Sequence, residues 1–514
     1  MAETYLLGVD IGTYSSKGVL VTGDTGEVVQ SCVVEHSLSM PKPGWVEHDP
    51  EKIWWGEFVV ICQNLLKASK INPKLIKGVG ISGIGICVVP VDEHGNSLRK
   101  GILYGIDTRA SNEIEELEKR LGREEIFMRS ASHLSSSVSG PKILWIKNHE
   151  PEIYEKTSWF LTSHSFIVFR LTGKATVDIY SACSYAPLID VESISWFEKA
   201  AEHITSIEKL PELVWSCDVV GAVTGEAALV TGLSTGTPVI AGTIDAAAEA
   251  ISAGLNEFGD MMMMFGSSNS FIMKTDKLVR TENFWGLNWM EPGTYAFVGG
   301  MSTVGSLTRW FRDNLAPLEV AAQNKGGEDA YAAMAKMVED SPLGANGLIA
   351  LPYFEGERTP IYDPDAKGVF FGLTLKHTRA DMYRALLESV GFGIRHNVEC
   401  MHAEGLSPKR ILAVGGGTKN KKWMQIISDI AGIKMIIPDQ QIGSAYGDAF
   451  MAAVGVGLFS DLKEITKWVR YQSGIKPNPD STRKYKPYYE IYRELYEQTK
   501  HLMHDLSVLK RKKQ

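Results

Sequence analysis

The sequence predicts an α/β protein of two domains, and three observations carry that prediction. An apolar run, a turn of glycine and hydroxyl residues and a second apolar run occupy residues 8–21, and the same plan returns at residues 260–273. After each copy, apolar runs of strand length are interleaved with helical stretches. The chain has 514 residues, 44% of them hydrophobic, which is too long for one core and apolar enough for two or more. The repeated plan reads as an internal duplication, with the boundary near residues 253–258, so the domains are expected at 1–254 and 255–514.

Composition excludes several function classes. The formal net charge is -8, which disfavours a nucleic-acid surface, and Lys510 to Lys513 reads as a solvated tail. Six cysteines lie far apart without a CxxC pair, a pattern of free thiols and not of a disulfide framework or zinc site. The chain enters a strand within a few residues and has no apolar run of spanning length, so no membrane association is expected and the cytoplasm is the expected compartment. The oligomeric state is left open, with a homodimer among the options.

In chain order, residues 8–21 read as a hairpin whose turn aims backbone N–H groups, the hydroxyls of Thr13 and Ser15 and the ammonium of Lys17 at one point. Such a turn suits a phosphate chain. Asp10 beside it suits magnesium, a hard cation that takes one or two carboxylates and keeps several waters. Residues 26–30 extend the hairpin to a meander, and a proline- and glycine-punctuated loop at 41–50 ends in Asp49-Pro50, a helix start. Residues 75–82 form a buried strand containing a formal GxGxxG at 78–83. No helix follows, only a further β-rich run at 84–91, so the dinucleotide reading fails and the glycines serve close approach.

A strand at 102–109 is expected to end in Asp107-Thr108-Arg109, either a structural ion pair or a holder of ligand polar groups, followed by a helix at 110–121. Residues 238–245 read as a buried strand that delivers Asp245 at its C-terminal end, ahead of small residues that open a helix. Ligands gather at such strand ends, which makes Asp245 the leading general base, with helix capping as its plainer role. The methionine run 261–264 reads as core strand. Glycine-rich loops then precede helices near Gly305 (helix at 307–314) and at Gly415-Gly416-Gly417, where backbone can lie flat against a base or phosphate. Residues 443–449 open a small-residue helix suited to close packing. There is no GxxxxGK[ST], so any ATP is not held by a P-loop.

These stretches together resemble the FGGY family of carbohydrate kinases, and within it the xylulokinase branch. The motifs that carry the resemblance run from Val9 to about Gly457: 8–21, 43–55, 139–145, 242–250, 352–393, 415–420 and 443–453. The resemblance implies two actin-like (ribonuclease H-like) domains, each a mixed sheet flanked by helices, with an inter-domain cleft. It implies ATP and Mg2+ as cofactors and a small-molecule sugar or polyol as substrate. It makes Asp245 the base and Asp10 the metal-linked carboxylate. Thr13, Ser15 and Lys17 match the first phosphate loop, Gly266 and Ser267 the second, and Gly305, Gly416 and Asn420 line the nucleotide. The sugar side falls on Trp45, Gly85, Ile86, Asp107 and Asp245. Xylulokinases usually carry Gln-Met-His-Gly at 84–87 and Asn at 246, and glycerol kinases an Arg-Glu pair at 85–86. This chain has Ile-Gly-Ile-Cys and Ala246. D-xylulose is therefore the default acceptor, and another ketose or a polyol is in contention. The competing class is an actin-like ATPase whose nucleotide state drives assembly or client binding, for which the acceptor-side motifs would have no use.

Overall fold

The computed structural model describes residues 3–440 and 442–511. They form two compact units. The first comprises Met1–Phe258, Lys274–Phe297 and Gln440–Arg470; the second comprises Gly259–Met273, Val298–Asp439 and Tyr471–Gln514. The expected division at 254/255 differs from these units at 255–258 and in two longer segments, 274–297 and 440–470, all of which fall in the first.

The first unit is built on a seven-stranded mixed sheet. Strands β1 (Tyr5–Ile11), β2 (Ser15–Thr22) and β3 (Val28–Glu35) form the expected antiparallel meander. Helix α1 (Gly56–Ser69) follows a π-helical turn at Pro50–Trp55, whose N-cap Asp49 accepts the Lys52 N–H at 3.1 Å. Strand β4 (Ile76–Gly83) runs parallel to β1, and β5 (Val219–Ala222) and β6 (Pro238–Ile240) complete the order β5-β6-β4-β1-β2-β3. All seven residues of β1 are buried, whereas the edge strand β3 alternates half-buried and exposed positions.

Three expected strands are shorter than their apolar runs. The run at 84–91 is strand only over Val89–Val91, because Ile86 takes a positive φ of 38° and the chain turns out of the sheet after β4. The run at 102–109 is strand only over Gly101–Ile102. Asp107 lies in a turn instead, where its carboxylate takes backbone and guanidinium donors that a ladder would otherwise compete for. The run at 238–245 is broken at Ala241-Gly242. Strand β7 (Thr243–Ile244) rejoins β4, and Asp245 is the first residue of helix α2 (Asp245–Ser252), not a strand end. Nor does Asp245 cap it: the N-cap position is Ile244.

One helix, Ser444–Gly455, closes this unit against the sheet. A Cβ at Gly80 would stand 2.0 Å from the Asp448 carbonyl oxygen, and one at Gly447 the same distance from that of Ala248. Both glycines therefore let backbone touch backbone, which is the role of the GxGxxG stretch.

The second unit repeats the plan. Strands β8 (Asp260–Phe265) and β9 (Asn269–Thr275) form an antiparallel hairpin, and β10 (Arg410–Val414) runs parallel to β8, with β11 (Met435–Ile436) beyond it. The second hairpin is one residue tighter: Asp10 pairs with Lys17 and Ser82, whereas Met264, likewise two residues before its turn glycine, pairs with Ser270 and Val414. Met261, Met262 and Met263 are buried core. Helix α3 (Gly305–Leu315), the long helix α4 (Arg379–Ala403) with its Thr378–Asp381 capping box, α5 (Lys421–Ala431) and the C-terminal α6 (Pro479–Arg511) surround this sheet. Lys512 and Lys513 of the basic tail lie outside the described residues.

Candidate active site

In the first unit the sheet and two helices gather four carboxylates. Asp10 comes from the end of β1, Asp245 and Glu249 from one face of α2 one turn apart, and Asp448 from the Ser444–Gly455 helix. The Ser82 Oγ lies 3.1 Å from Asp10 Oδ1 and 2.7 Å from Asp448 Oδ2. A hydroxyl has one proton, so it satisfies one of the two acids at a time. Burial is the first cause that raises all four carboxyls above their ordinary range, and the charge of Asp10 adds to it for the other three; Glu249 is pushed up to about 7. Lys17, opposite Asp10 in the ladder, is the cation whose charge opposes this at Asp10 and Glu249.

Asp245 is held by one oxygen. Its Oδ1 accepts the Ala246 N–H at 2.8 Å and the Gly85 N–H at 3.3 Å. Among the described residues its Oδ2 has no hydrogen-bond partner, and the side chain is half-buried, so one oxygen is left for a ligand. Gly85 thus orients the acid through its backbone. Tyr104 shares this neighbourhood: burial raises its hydroxyl above the ordinary range, Thr13 opposes that, and the charge of Asp245 adds to it.

The first phosphate-type loop has its own support. Gly12 N–H donates to the Ser15 carbonyl at 3.1 Å. Ser16 Oγ donates to Glu57 at 2.5 Å, Glu57 contacts His36 Nδ1 at 2.9 Å, and His36 Nε2 stands 3.2 Å from the Gly12 carbonyl. Helix α1 therefore braces the turn that carries Thr13, Ser15 and Lys17.

Two expected sugar contacts are occupied by protein. Asp107 is fully buried. Its carboxylate accepts the Val46 N–H at 2.6 Å, the Arg109 N–H at 3.1 Å and the Arg109 guanidinium at 2.7 to 3.1 Å. No lone pair is left for a sugar hydroxyl, so Asp107–Arg109 is the structural ion pair. Trp45 has the Arg109 guanidinium 4.0 Å and the Lys42 ammonium 4.4 Å from its ring centre and Trp145 at its edge, so it packs against this pair.

In the second unit, Gly266, Ser267, Gly305, Gly416 and Asn420 all line one cavity of about 940 Å³. That volume lies within the range of small-molecule sites. The Gly305 N–H donates to the Gly266 carbonyl at 2.9 Å, and Val304 and Ser306 N–H groups donate to Ser267 at 2.9 and 3.0 Å, which clamps the loop after β8 to the start of α3. Asn420 Oδ1 caps α5 by accepting the Trp423 N–H at 3.1 Å, which leaves its amide NH2 for a ligand. Tyr331, Tyr383 and Trp423 add aromatic surface, and Arg309 and Lys419 add positive charge. Apolar walls, rigid backbone donors and cations are what a nucleotide requires.

An acid site in one unit and a glycine-lined nucleotide-type cavity in the other, on a duplicated α/β frame, define a kinase for a small alcohol. Comparison with known proteins makes the class specific. The model for the FGGY family of carbohydrate kinases, N-terminal domain, matches residues 5–252, and that for the C-terminal domain matches residues 261–456. The chain is 30% identical to the xylulose kinase of Bacillus subtilis (strain 168) over 504 residues, 97% of this chain and 98% of that protein. The crystal structure of xylulose kinase from Rhodospirillum rubrum superposes with a TM-score of 0.88 at 31% identity, covering 97% of this chain and all of that one. A gluconokinase of the same Bacillus subtilis strain is 26% identical over 498 residues, covering 95% of each chain. The chain belongs to the FGGY family of carbohydrate kinases and has its two-domain actin-like fold. It is an enzyme, a phosphotransferase, of a family that uses ATP as donor. No helix among the described residues is long and apolar enough to cross a membrane.

Sequence reasoning missed Ser82, Glu249 and Asp448. Glu249 was within reach, since a carboxylate four residues after Asp245 shares its helix face; Asp448 needed the tertiary packing.

Two outcomes are expected. A Cβ at Gly416 meets no atom within 4 Å, so Gly416→Leu leaves the fold intact and fills the cavity. ADP affinity measured by calorimetry falls at least about tenfold at unchanged Tm, as loss of a close backbone contact implies. The second concerns pH. The clustered carboxyls bind protons more tightly folded than unfolded, so their contribution is present below about pH 4 and is lost as pH rises to about 7, the value for Glu249. A divalent cation relieves that loss, so magnesium raises Tm more at pH 8 than at pH 5.

Proposed function

We propose that this kinase phosphorylates a neutral ketose or polyol, with D-xylulose the first candidate, using Asp245 as general base and Mg2+ held at Asp10. The observation that carries the reading is the free Oδ2 of Asp245 beside the Asp10 cluster. An acceptor hydroxyl is a poor nucleophile at neutral pH. A carboxylate with one oxygen anchored by Ala246 and Gly85 and the other open can take its proton as the bond to phosphorus forms. Burial and the neighbouring Asp10 raise its proton affinity, which suits a base working near neutrality.

The residues present fit a magnesium ion. The donors are carboxylate oxygens, the buried Asp448 Oδ1 has no hydrogen-bond partner, and mutual repulsion leaves the cluster short of positive charge. Among the described residues no three His, Cys, Asp or Glu side chains converge on one metal position, in keeping with an ion held by one or two carboxylates and water. Bound there, the ion would neutralise charge on the transferring phosphoryl group. Thr13, Ser15 and Lys17 would hold the phosphates from the first unit. Gly266, Ser267, Gly305, Gly416 and Asn420 would hold the nucleotide in the second.

The acceptor is read as neutral because the cations on this side are committed. Arg109 is paired with Asp107 at 2.7 Å and Glu47 at 2.9 Å. Lys142 is buried and donates to the Leu103 carbonyl at 2.7 Å. An aldonate carboxylate would meet the acid cluster without a free partner. Gly85 and Ile86 contribute backbone and apolar surface where hydrogen-bonding side chains would read specific hydroxyls, so the sugar's identity is set by fewer polar contacts.

The test is ADP release from ATP and magnesium across pentuloses, hexuloses, tetritols, pentitols and aldonates. Turnover on a ketose or polyol with none on aldonates is expected. A best substrate carrying a carboxylate would overturn the neutral-acceptor reading.

A further inference from the structure

We propose that Glu249 is an outer-sphere ligand of the divalent cation at Asp10, accepting hydrogen bonds from the cation's waters. The inference rests on the assignment of that cation to Asp10 made above. Glu249 follows Asp245 by one turn on the same face of α2, and both carboxyls feel the charge of Asp10. Among the described residues the hydrogen-bonding partners of Glu249 come from Ser444 alone, through the hydroxyl and the backbone N–H, which leaves acceptor capacity unused. The Ser444 hydroxyl stands 3.5 Å from Oε2, at the outer limit of a hydrogen bond, and its shorter bond goes to the Asp245 carbonyl at 3.0 Å.

The position is nevertheless fixed. A Cβ at Gly443 would stand 2.8 Å from Glu249 Oε2, so the carboxylate rests on bare backbone at the start of the Ser444–Gly455 helix. That helix end favours a negative charge there, and Gly443 is the residue that admits it. A placed carboxylate with unused acceptor capacity, next to Asp10, calls for donors that the protein does not supply.

Two further observations indicate that those donors are metal-bound waters. The fully buried Asp448, linked to Asp10 through Ser82, keeps an oxygen without a partner on the other side of the same cluster. The four carboxyls there share the influence of the Lys17 ammonium, so near neutral pH their remaining charge is balanced by retained protons or by a further cation that displaces them. Magnesium takes one or two carboxylates and keeps several waters, and Glu249 is assigned to that water shell. Magnesium sheds water reluctantly, which makes the outer shell a place where protein can still add affinity.

The experiment is Mn2+ binding to the whole enzyme without nucleotide or sugar, followed by the electron paramagnetic resonance signal of free Mn2+. Glu249→Gln is expected to weaken Mn2+ binding by about 10- to 100-fold, the usual effect of losing an outer-shell partner, with Tm not lowered and ADP affinity unchanged. Glu249→Asp, which keeps the charge and loses reach, falls between; it also serves should the glutamine variant not fold. Unchanged Mn2+ affinity in a folded Glu249 variant would overturn the inference. So would a loss of ADP affinity alone, since that outcome makes Glu249 a partner of Lys17. If the unmodified enzyme binds no Mn2+ while Asp10→Asn behaves identically, the assignment of the metal to Asp10 fails first.

Discussion

The contact on which the acid site depends is backbone against backbone. The Ser444–Gly455 helix reaches the sheet because Gly80 has no side chain to hold it off, and reaches helix α2 because Gly447 has none, and that approach sets Asp448 beside Ser82 and Ser444 beside Asp245. A methyl group at either glycine would demand a shift against a carbonyl oxygen, not against a pliable side chain. Residues more than three hundred positions apart in the chain thus share one hydroxyl, that of Ser82, between Asp10 and Asp448. Repulsion among the carboxylates is sustained by this packing, and it is what makes the site ready for a cation.

Duplication of the frame did not duplicate the chemistry. The two hairpins share a plan but differ by one residue in the turn, and Met264 stands two residues before the second turn glycine where Asp10 stands before the first. One unit keeps charge at its hairpin end and the other keeps apolar strand and backbone donors, with the cavity beside it lined by Gly266, Gly305 and Gly416. The first arrangement suits a metal and a proton transfer, the second a base and its phosphates. A kinase needs both, and phosphoryl transfer asks little more of a protein than positioning and charge.

Much of this was legible in the chain. The hairpin at 8–21, its echo at 260–273 and the triple glycine at 415–417 are local patterns, and local patterns fold where they are written. The two residues read as the second phosphate loop, Gly266 and Ser267, and the three read as nucleotide-lining, Gly305, Gly416 and Asn420, line one cavity, because the first two sit on the turn directly after a strand and the other three where a helix begins. What was not legible depends on which partner a side chain finds. Asp107 looked available for a sugar until Val46 and Arg109 were seen to fill it. Trp45 looked like a sugar platform until Arg109 and Lys42 were seen over its ring. Apolar runs overstated three strands because Ile86, Gly242 and the Asp107 turn leave the ladder for reasons of backbone geometry and side-chain capture.

The account stands on the open oxygen of Asp245, and the most direct test is the single-turnover rate of phosphoryl transfer by Asp245→Asn on the best acceptor. Asparagine keeps the shape and the acceptor for the Ala246 and Gly85 N–H groups but cannot take a proton. The rate is expected to fall by about 10²- to 10⁴-fold, the span of general-base effects, with ADP affinity little changed. A near-normal rate in this variant would contradict the account and remove Asp245 from the chemical step.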